Sequence, residues 1–219
     1  MHTECPVDAV EQTPEGWRIQ CAGATVAAGF DSVIIAIPPL QAAPLLAPHQ
    51  ADWSQRARSL SLLPGWVLMA VTDDTPASPQ WEIAQPTGGP LALIIRNDTK
   101  PGRSREPGVA QWVAHASASW SEAHLESPAN EVQAALQTAL TKAFGHTPTW
   151  HHATVHRWRY ATAPESQPST PFWWDTDSGL GVCGDALGGG GVEGAWRSAH
   201  ALGLTCIAHL TEGHTHDAP

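Results

Sequence analysis

The stretch Gly179-Leu-Gly-Val-Cys-Gly-Asp185, followed by Gly188-Gly-Gly-Gly-Val-Glu-Gly-Ala-Trp196, decides how the rest of the chain is read. A short apolar run ends in a turn of small residues that carries one carboxylate, Asp185. Glycines then lead into a segment of helical character. Glycine lets backbone approach a ligand closely, and the first turn of a helix presents free N–H groups and a favourable dipole for negative charge. Asp185 can accept hydrogen bonds from a ligand hydroxyl. The string Gly179-Leu-Gly181-Val-Cys-Gly184 also satisfies GxGxxG. It is a poor dinucleotide fingerprint, because Asp185-Ala-Leu-Gly188 interrupts the helix that should follow, and no downstream strand completes a βαβ unit. The plainer alternative makes Gly188–Gly191 a flexible turn and Asp185 a cap for the backbone after it.

Upstream, Phe30-Asp-Ser-Val-Ile-Ile-Ala-Ile37 is a compact apolar run closed by Pro38-Pro39. Such a run predicts a strand buried on both faces, as in a parallel sheet, with a sandwich-core strand as the other reading. Val7–Val10 and Gly16–Cys21 predict two short strands joined by the turn Thr13-Pro-Glu-Gly16, and Ala24–Ala27 a third. Gln41–Leu46 suits a short helix. Trp66–Val71, Leu91–Ile95 and Gln111–Ala116 predict strands, the last two antiparallel across the polar stretch from Asn97 to Gly108. Val132, Leu136, Leu140 and Phe144 recur at helical spacing after Pro128, and Gly145 fits the stop. Thr149–Tyr160 and Phe172–Val182 read as strands, Ala163–Pro171 as a surface loop, and Gly191–Leu210 as a terminal helix whose tail, 211–219, frays.

The pattern is mixed α/β. Residues 1–52 and 161–210 read as one discontinuous domain around an antiparallel-sheet domain at 53–160. At 219 residues and 42% hydrophobic, the chain can bury a sizeable core. Its net charge of −10 argues against nucleic-acid binding and against adhesion to anionic membranes. No apolar run approaches the length of a membrane span, and the N-terminus has no secretory pattern. Cys5, Cys21, Cys183 and Cys206 form no CxxC pair, which predicts reduced thiols and a cytoplasmic setting. The 12 histidines include the adjacent His151 and His152, which would face opposite sides of a strand, and His214 and His216 in a polar tail. No metal site is expected.

In order along the chain, six segments carry a resemblance. They are Phe30-Asp-Ser-Val-Ile-Ile-Ala-Ile-Pro38, Arg96-Asn-Asp-Thr-Lys-Pro-Gly-Arg103, Trp112-Val-Ala-His-Ala116, Trp120-Ser-Glu-Ala-His-Leu-Glu126, Arg157-Trp-Arg-Tyr-Ala161 and Leu180-Gly-Val-Cys-Gly-Asp185. Together they resemble the flavin amine-oxidase superfamily, and within it a bacterial renalase-like protein. The resemblance implies an incomplete Rossmann-like FAD-binding domain, a substrate domain and noncovalent FAD. It implies that Asp185, beside Gly184, meets the ribityl or adjacent phosphate region. Gly191, Val192, Glu193, Gly194 and Ala195 would set a helix start beside the pyrimidine end of the flavin. Val7, Ala36 and Pro38 would line the adenosine side. The plainer reading of Glu193 is a structural hydrogen bond or salt bridge.

Arg96, Asn97 and Lys100 form one polar cluster, and Arg157, Trp158, Arg159 and Tyr160 another. Near a flavin they could hold an anionic or nucleotide-like small-molecule substrate, with Trp158 or Tyr160 as a stacking face. Alternation puts Arg157 and Arg159 on one strand face and Trp158 and Tyr160 on the other. The competing reading has solvated arginines and core aromatics. The implied reaction is hydride transfer to FAD from a dihydronicotinamide-type or amine substrate, with oxygen as final acceptor. Catalytic residues are not assigned.

Full-length relatives begin with a strand, a GxGxxG turn and a helix that bind the ADP part of FAD; nothing of that kind precedes Val7. The expectation is a chain short of the first roughly hundred residues of the family, with weak or absent FAD binding on its own. It would then be completed by a missing N-terminal segment or a separate flavin-binding chain. The alternative is a non-enzymatic remnant or one half of a split flavoprotein.

Overall fold

The computed structural model describes residues 2–163 and 170–214. The chain divides into two compact units, Met1–Leu62 with Thr162–Pro219, and Leu63–Ala161.

The discontinuous unit opens with an antiparallel meander, β1 (Val7–Thr13), β2 (Gly16–Cys21) and β3 (Ala24–Phe30). Its first turn is held by the Thr13 hydroxyl, which donates to the Gly16 carbonyl at 2.8 Å. The meander hands the chain to β4 (Val33–Ile35), followed by α1 (Pro39–Leu46) and α2 (Ala51–Ser59). The unit closes with β10 (Trp173–Asp175), β11 (Leu180–Val182), α5 (Asp185–Gly188) and α6 (Gly191–His214). β11 lies between β10, antiparallel, and β4, parallel. Trp17, Val33, Ile35, Leu46, Leu180 and Val182 share one core.

Three expectations change here. The run Phe30–Ile37 is not a strand buried on both faces: Phe30 ends β3, Val33–Ile35 forms β4, and Ile34 is 46% exposed between two buried neighbours. Side chains alternate, and the core among the described residues lies on the Val33 and Ile35 side. The segment Phe172–Val182 is a hairpin of two short strands. Asp175 turns the chain between them, its carboxylate accepting from Ser178 Oγ at 2.6 Å and Gln50 Nε2 at 2.7 Å. Helix α6 runs past Leu210 to His214. Residues 164–169 of the expected surface loop and 215–219 of the expected tail lie outside the described residues.

The second unit is a five-stranded sheet in the order β6-β7-β8-β5-β9, from β5 (Leu63–Asp73), β6 (Ile83–Ala84), β7 (Leu91–Arg96), β8 (Val109–Ala116) and β9 (Trp150–Thr162). Two helices, α3 (Ala118–Ala123) and α4 (Ala129–Phe144), follow β8. Val132, Leu136 and Leu140 sit one turn apart, so one stripe of α4 packs with Leu68, Ile94 and Trp112 of the sheet. Gly145 ends α4 at φ 77°, its N–H donating to the Thr141 and Lys142 carbonyls; a side chain there would meet the left-handed penalty. Helix α3 is anchored by Ser117, which accepts the Trp120 N–H, and by buried Ser121, which accepts the Trp66 N–H. Among the described residues no helix is long and apolar enough to cross a membrane.

Candidate functional site

Strands β4 and β11 run parallel, so both deliver their carboxyl ends to the same edge, where open α/β sheets bind ligands. The Cys183 N–H donates to the Ile35 carbonyl at 3.2 Å, which sets Ala36 and Pro38 beside Gly184 and Asp185. A cleft here is lined by Ile37, Pro39, Trp173, Gly184 and Asp185. Buried Cys183 completes the wall, and burial pushes its thiol pKa up, so it remains a neutral thiol.

The backbone after Cys183 is folded tightly. The Gly184 N–H donates to Ser198 Oγ at 2.9 Å, and that hydroxyl donates to the Pro171 carbonyl at 2.5 Å. The Gly190 N–H closes onto the Asp185 carbonyl at 2.8 Å. At Gly188 a Cβ would overlap the Gly194 carbonyl, so the loop and the first turn of α6 can touch only because both residues lack side chains. The Gly194 N–H donates to the Gly190 carbonyl at the start of α6, and the Val192 and Glu193 amides ahead of it have no acceptor among the described residues. Val192 is 90% exposed at this start. Glu193 pairs with Arg197 one turn along. The Asp185 carboxylate has no hydrogen-bond partner among the described residues.

These residues fit the cofactor expected of them. Among the described residues the carboxylate and the amides have no partner, and no atom lies within 4 Å of where a side chain would stand at Gly184 or Gly191. The structure thus brings Ala36, Pro38, Gly184, Asp185 and the α6 start into one unit at the ends of β4 and β11. Val7 stands apart, at the beginning of β1 in the meander, opposite Cys21.

The other candidate residues lie in the second unit, and its sheet divides them. Arg96 is 4% exposed on the α4 side. It pairs with Asp74 at 2.6 Å and Asp98 at 3.4 Å, and its guanidinium lies 5.6 Å from the centroid of Trp112. Its charge is spent inside the sheet–helix layer. Asn97 opens a short 3₁₀ turn (Asn97–Thr99), and Lys100 follows it, exposed. Arg157 and Arg159 both bind Glu126, so these arginines too have carboxylate partners. Trp158, 53% exposed, and half-buried Tyr160 point to the opposite face, as alternation predicts.

That face also holds His115, a residue that sequence reasoning missed. It alternates with buried Trp112, Ala114 and Ala116 along β8 and neighbours Val67 of β5 and Leu93 of β7. Burial, and then the Lys100 ammonium, hold its pKa below the usual imidazole value, so it is neutral near pH 7. The period-two pattern of β8 was the signal that could have found it. Met69, Trp158 and Tyr160 share this face.

A family model described as flavin containing amine oxidoreductase matches residues 1–201. The chain belongs to the flavin-containing amine oxidoreductase family. Solved structures agree at the level of fold. A protoporphyrinogen oxidase structure from Exiguobacterium sp. 255-15 is similar with TM-score 0.72 and 15% identity, over 95% of this chain and 47% of that one. Cyclohexylamine oxidase from Brevibacterium oxydans IH-35A gives 0.64 and 15%, over 95% and 49%. Putrescine oxidase in its putrescine-bound form gives 0.61 and 17%, over 93% and 48%. The chain therefore spans about half the length of these flavin-containing amine oxidoreductase-like structures. Within this family the mixed α/β architecture with antiparallel sheets is the expected fold, and a flavin is the implied cofactor.

Proposed function

We propose that this chain carries the ring-side flavin contacts and the substrate sheet of a cytoplasmic, renalase-like FAD-dependent oxidoreductase. Its substrate would be a dihydronicotinamide-type molecule or an amine. The observation that carries the reading is the Gly184–Ala195 loop, whose carboxylate and helix-start amides have no partner among the described residues. FAD, when bound, would supply the ring that accepts hydride from substrate and passes electrons to oxygen. Asp185 would accept a hydroxyl of the ribityl chain, beside Gly184. The amides of Val192 and Glu193, with Gly191, Gly194 and Ala195 behind them, would favour negative charge at the pyrimidine end. Ala36 and Pro38 would line the adenosine side, with Val7 a more distant candidate.

On the substrate side, Trp158 and Tyr160 present aromatic faces suited to stacking a planar dihydronicotinamide ring. Asn97 and Lys100 would add polar contacts. Arg96 enters only indirectly, by fixing the strand end that leads to them. Neutral His115 can donate or accept a hydrogen bond without placing charge beside a substrate amide. No strong protein base is required for hydride release.

The test is FAD titration followed by anaerobic mixing of the loaded protein with a dihydronicotinamide isomer or with primary amines. Saturable binding weakened by Asp185→Ala, with bleaching of the flavin band by the isomer, supports the reading. Bleaching by amines alone would transfer it to ordinary amine oxidation. Binding indifferent to Asp185→Ala would remove the loop from the cofactor site.

A further inference from the structure

The loop between β6 and β7 stands beside α4, and the two enclose a cavity. Both ends of the loop are fixed. Ala84 pairs with Ile94 across the hairpin, and the Pro90 carbonyl accepts the Ser117 N–H at 2.8 Å. Between these anchors Gly88 and Gly89 turn the chain at φ 100° and 78°, and Pro86 and Pro90 stiffen it on either side. A Cβ at either glycine would meet no atom within 4 Å, so the loop does not press onto the helix there. Helix α4 answers with small side chains. Ala135, Ala139 and Ala143 recur every four residues, beside the Val132, Leu136 and Leu140 stripe that enters the core. A stiff loop facing small residues leaves 530 Å³ unfilled, a volume within the range of small-molecule sites. Its apolar walls are Leu91, the two prolines and the three alanines. Its polar side chains are Thr87, Thr138 and Lys142. The Thr138 hydroxyl already donates to the Ala134 carbonyl at 2.8 Å, which leaves Thr87 and Lys142 as donors. Among the described residues no carboxylate lines the cavity, in a chain with 21 acidic and 11 basic residues. Lys142 makes no ion pair among the described residues. The Gly145 N–H caps the last carbonyls of α4, so the ammonium is not needed for that task.

We propose that this cavity is a binding site for a small monocarboxylate with an apolar body, of the medium-chain fatty acid class. The chain of the ligand lies along the α4 alanines and against Leu91 and the prolines, where its burial drives association. Its carboxylate meets the Lys142 ammonium, with the Thr87 hydroxyl as a second donor. The charge pattern selects this class. A cationic ligand would face Lys142 with no carboxylate to balance either charge. A dicarboxylate would set its second charge against alanine and proline, where nothing pairs with it. The cavity lies on the α4 side of the sheet, opposite the face that carries Trp158 and His115. It is therefore separate from the substrate face, and occupation of it needs no flavin.

The test titrates the folded chain with sodium octanoate, kept below micelle-forming concentrations, and follows backbone amide chemical shifts and the thermal midpoint. The expected result is saturable shifts centred on residues 86–91 and 135–143, with a midpoint that rises as the site fills. Octanol, the same chain without the charge, is the control. Lys142→Gln should weaken octanoate roughly tenfold, as for loss of one charge-assisted hydrogen bond, and leave octanol binding unchanged. Ala135→Leu, at an exposed helical position, should exclude both ligands while the unliganded chain keeps its midpoint. Absence of saturable shifts, shifts centred elsewhere, octanol binding as tight as octanoate, or octanoate binding indifferent to Lys142→Gln would each overturn the proposal.

Discussion

An ionised carboxylate is costly to bury, and Asp98 is 3% exposed. It is tolerated because Arg96 pairs with it and the Gln111 N–H donates to it at 3.0 Å. Removing that buried cation should leave the carboxylate facing only the exposed Arg105, 3.6 Å away. Arg96→Met is therefore expected to cost about 3–5 kcal/mol of unfolding free energy. Urea denaturation checks this, and adding Asp98→Asn in the same background should recover part of the loss. An unchanged midpoint would mean the carboxylate is solvated. Asp74, on the same guanidinium, reports through pH. Burial pulls its pKa up, but Arg96 and then Arg105 outweigh burial and hold it below the ordinary carboxyl value. A carboxylate depressed in the folded state contributes stability that is complete above its unfolded value of about 3.9. That contribution is lost as pH falls through the lower folded value. Urea midpoints should drop below about pH 4, and the part due to this pair should vanish in Asp74→Asn. Asp185 is the contrasting case, since no partner among the described residues depends on its carboxylate. Asp185→Ala should leave the urea midpoint within about 0.5 kcal/mol of the parent. It should weaken FAD binding by roughly 10- to 100-fold if one hydrogen bond to a charged group is lost. The reverse pattern, lower stability with unchanged affinity, would make Asp185 a structural residue.

Between α5 and α6 the chain reverses by pressing Gly188 against Gly194. Gly188→Ala puts a methyl into the Gly194 carbonyl, which is backbone and cannot rotate away. The expected loss is about 1–3 kcal/mol, accompanied by displacement of the α6 start. Thermal denaturation and the chemical shifts of the Val192 and Glu193 amides test both parts, and a neutral substitution would show that the turn can open to admit a side chain. The glycines made this loop legible from sequence, and so did the helical spacing that gives α4. Elements lacking a hydrophobic period escaped. Helix α2 has a polar run, Asp52, Gln55, Arg56 and Arg58, and sits down through Ala57 and through Ser54, whose hydroxyl donates to the Ala43 carbonyl at 2.7 Å. Helix α3 is six residues held by two serines. In each, one decisive partner is a remote backbone group, the Ala43 carbonyl for Ser54 and the Trp66 N–H for Ser121, that no local pattern reveals. Ile34 failed for a related reason. An apolar β-branched run says that a residue suits a strand, and its neighbours in space decide whether both faces are covered.

Strand types at the two ends of the chain differ from those in its middle, and that contrast is carried by composition: β-branched runs and glycine turns outside, alternating strands inside. The function of a side chain was less legible than the fold, because Arg96 and Trp158 look alike as polar-cluster or aromatic candidates until the sheet assigns their faces. Arg96 goes to the α4 side with two carboxylates; Trp158 goes to the side of His115. The middle unit, Leu63–Ala161, is one continuous segment with a core of its own, in which Trp66, Leu68, Ile94, Trp112, Leu136 and Leu140 pack together. It also contains its own buried ion pairs and helix caps. A continuous segment with its own core, ion pairs and helix caps meets the physical requirements for independent folding. Residues 63–161 expressed alone should thus unfold in a single urea transition with a slope of about 1–3 kcal/mol per molar, and its midpoint should fall on Arg96→Met. Near-ultraviolet circular dichroism should show the fixed packing of Trp112 against Phe144 and Trp81, whose rings lie 4.8 and 5.4 Å away. A broad transition without that signal would mean that this core holds only when the chain on either side of it is present.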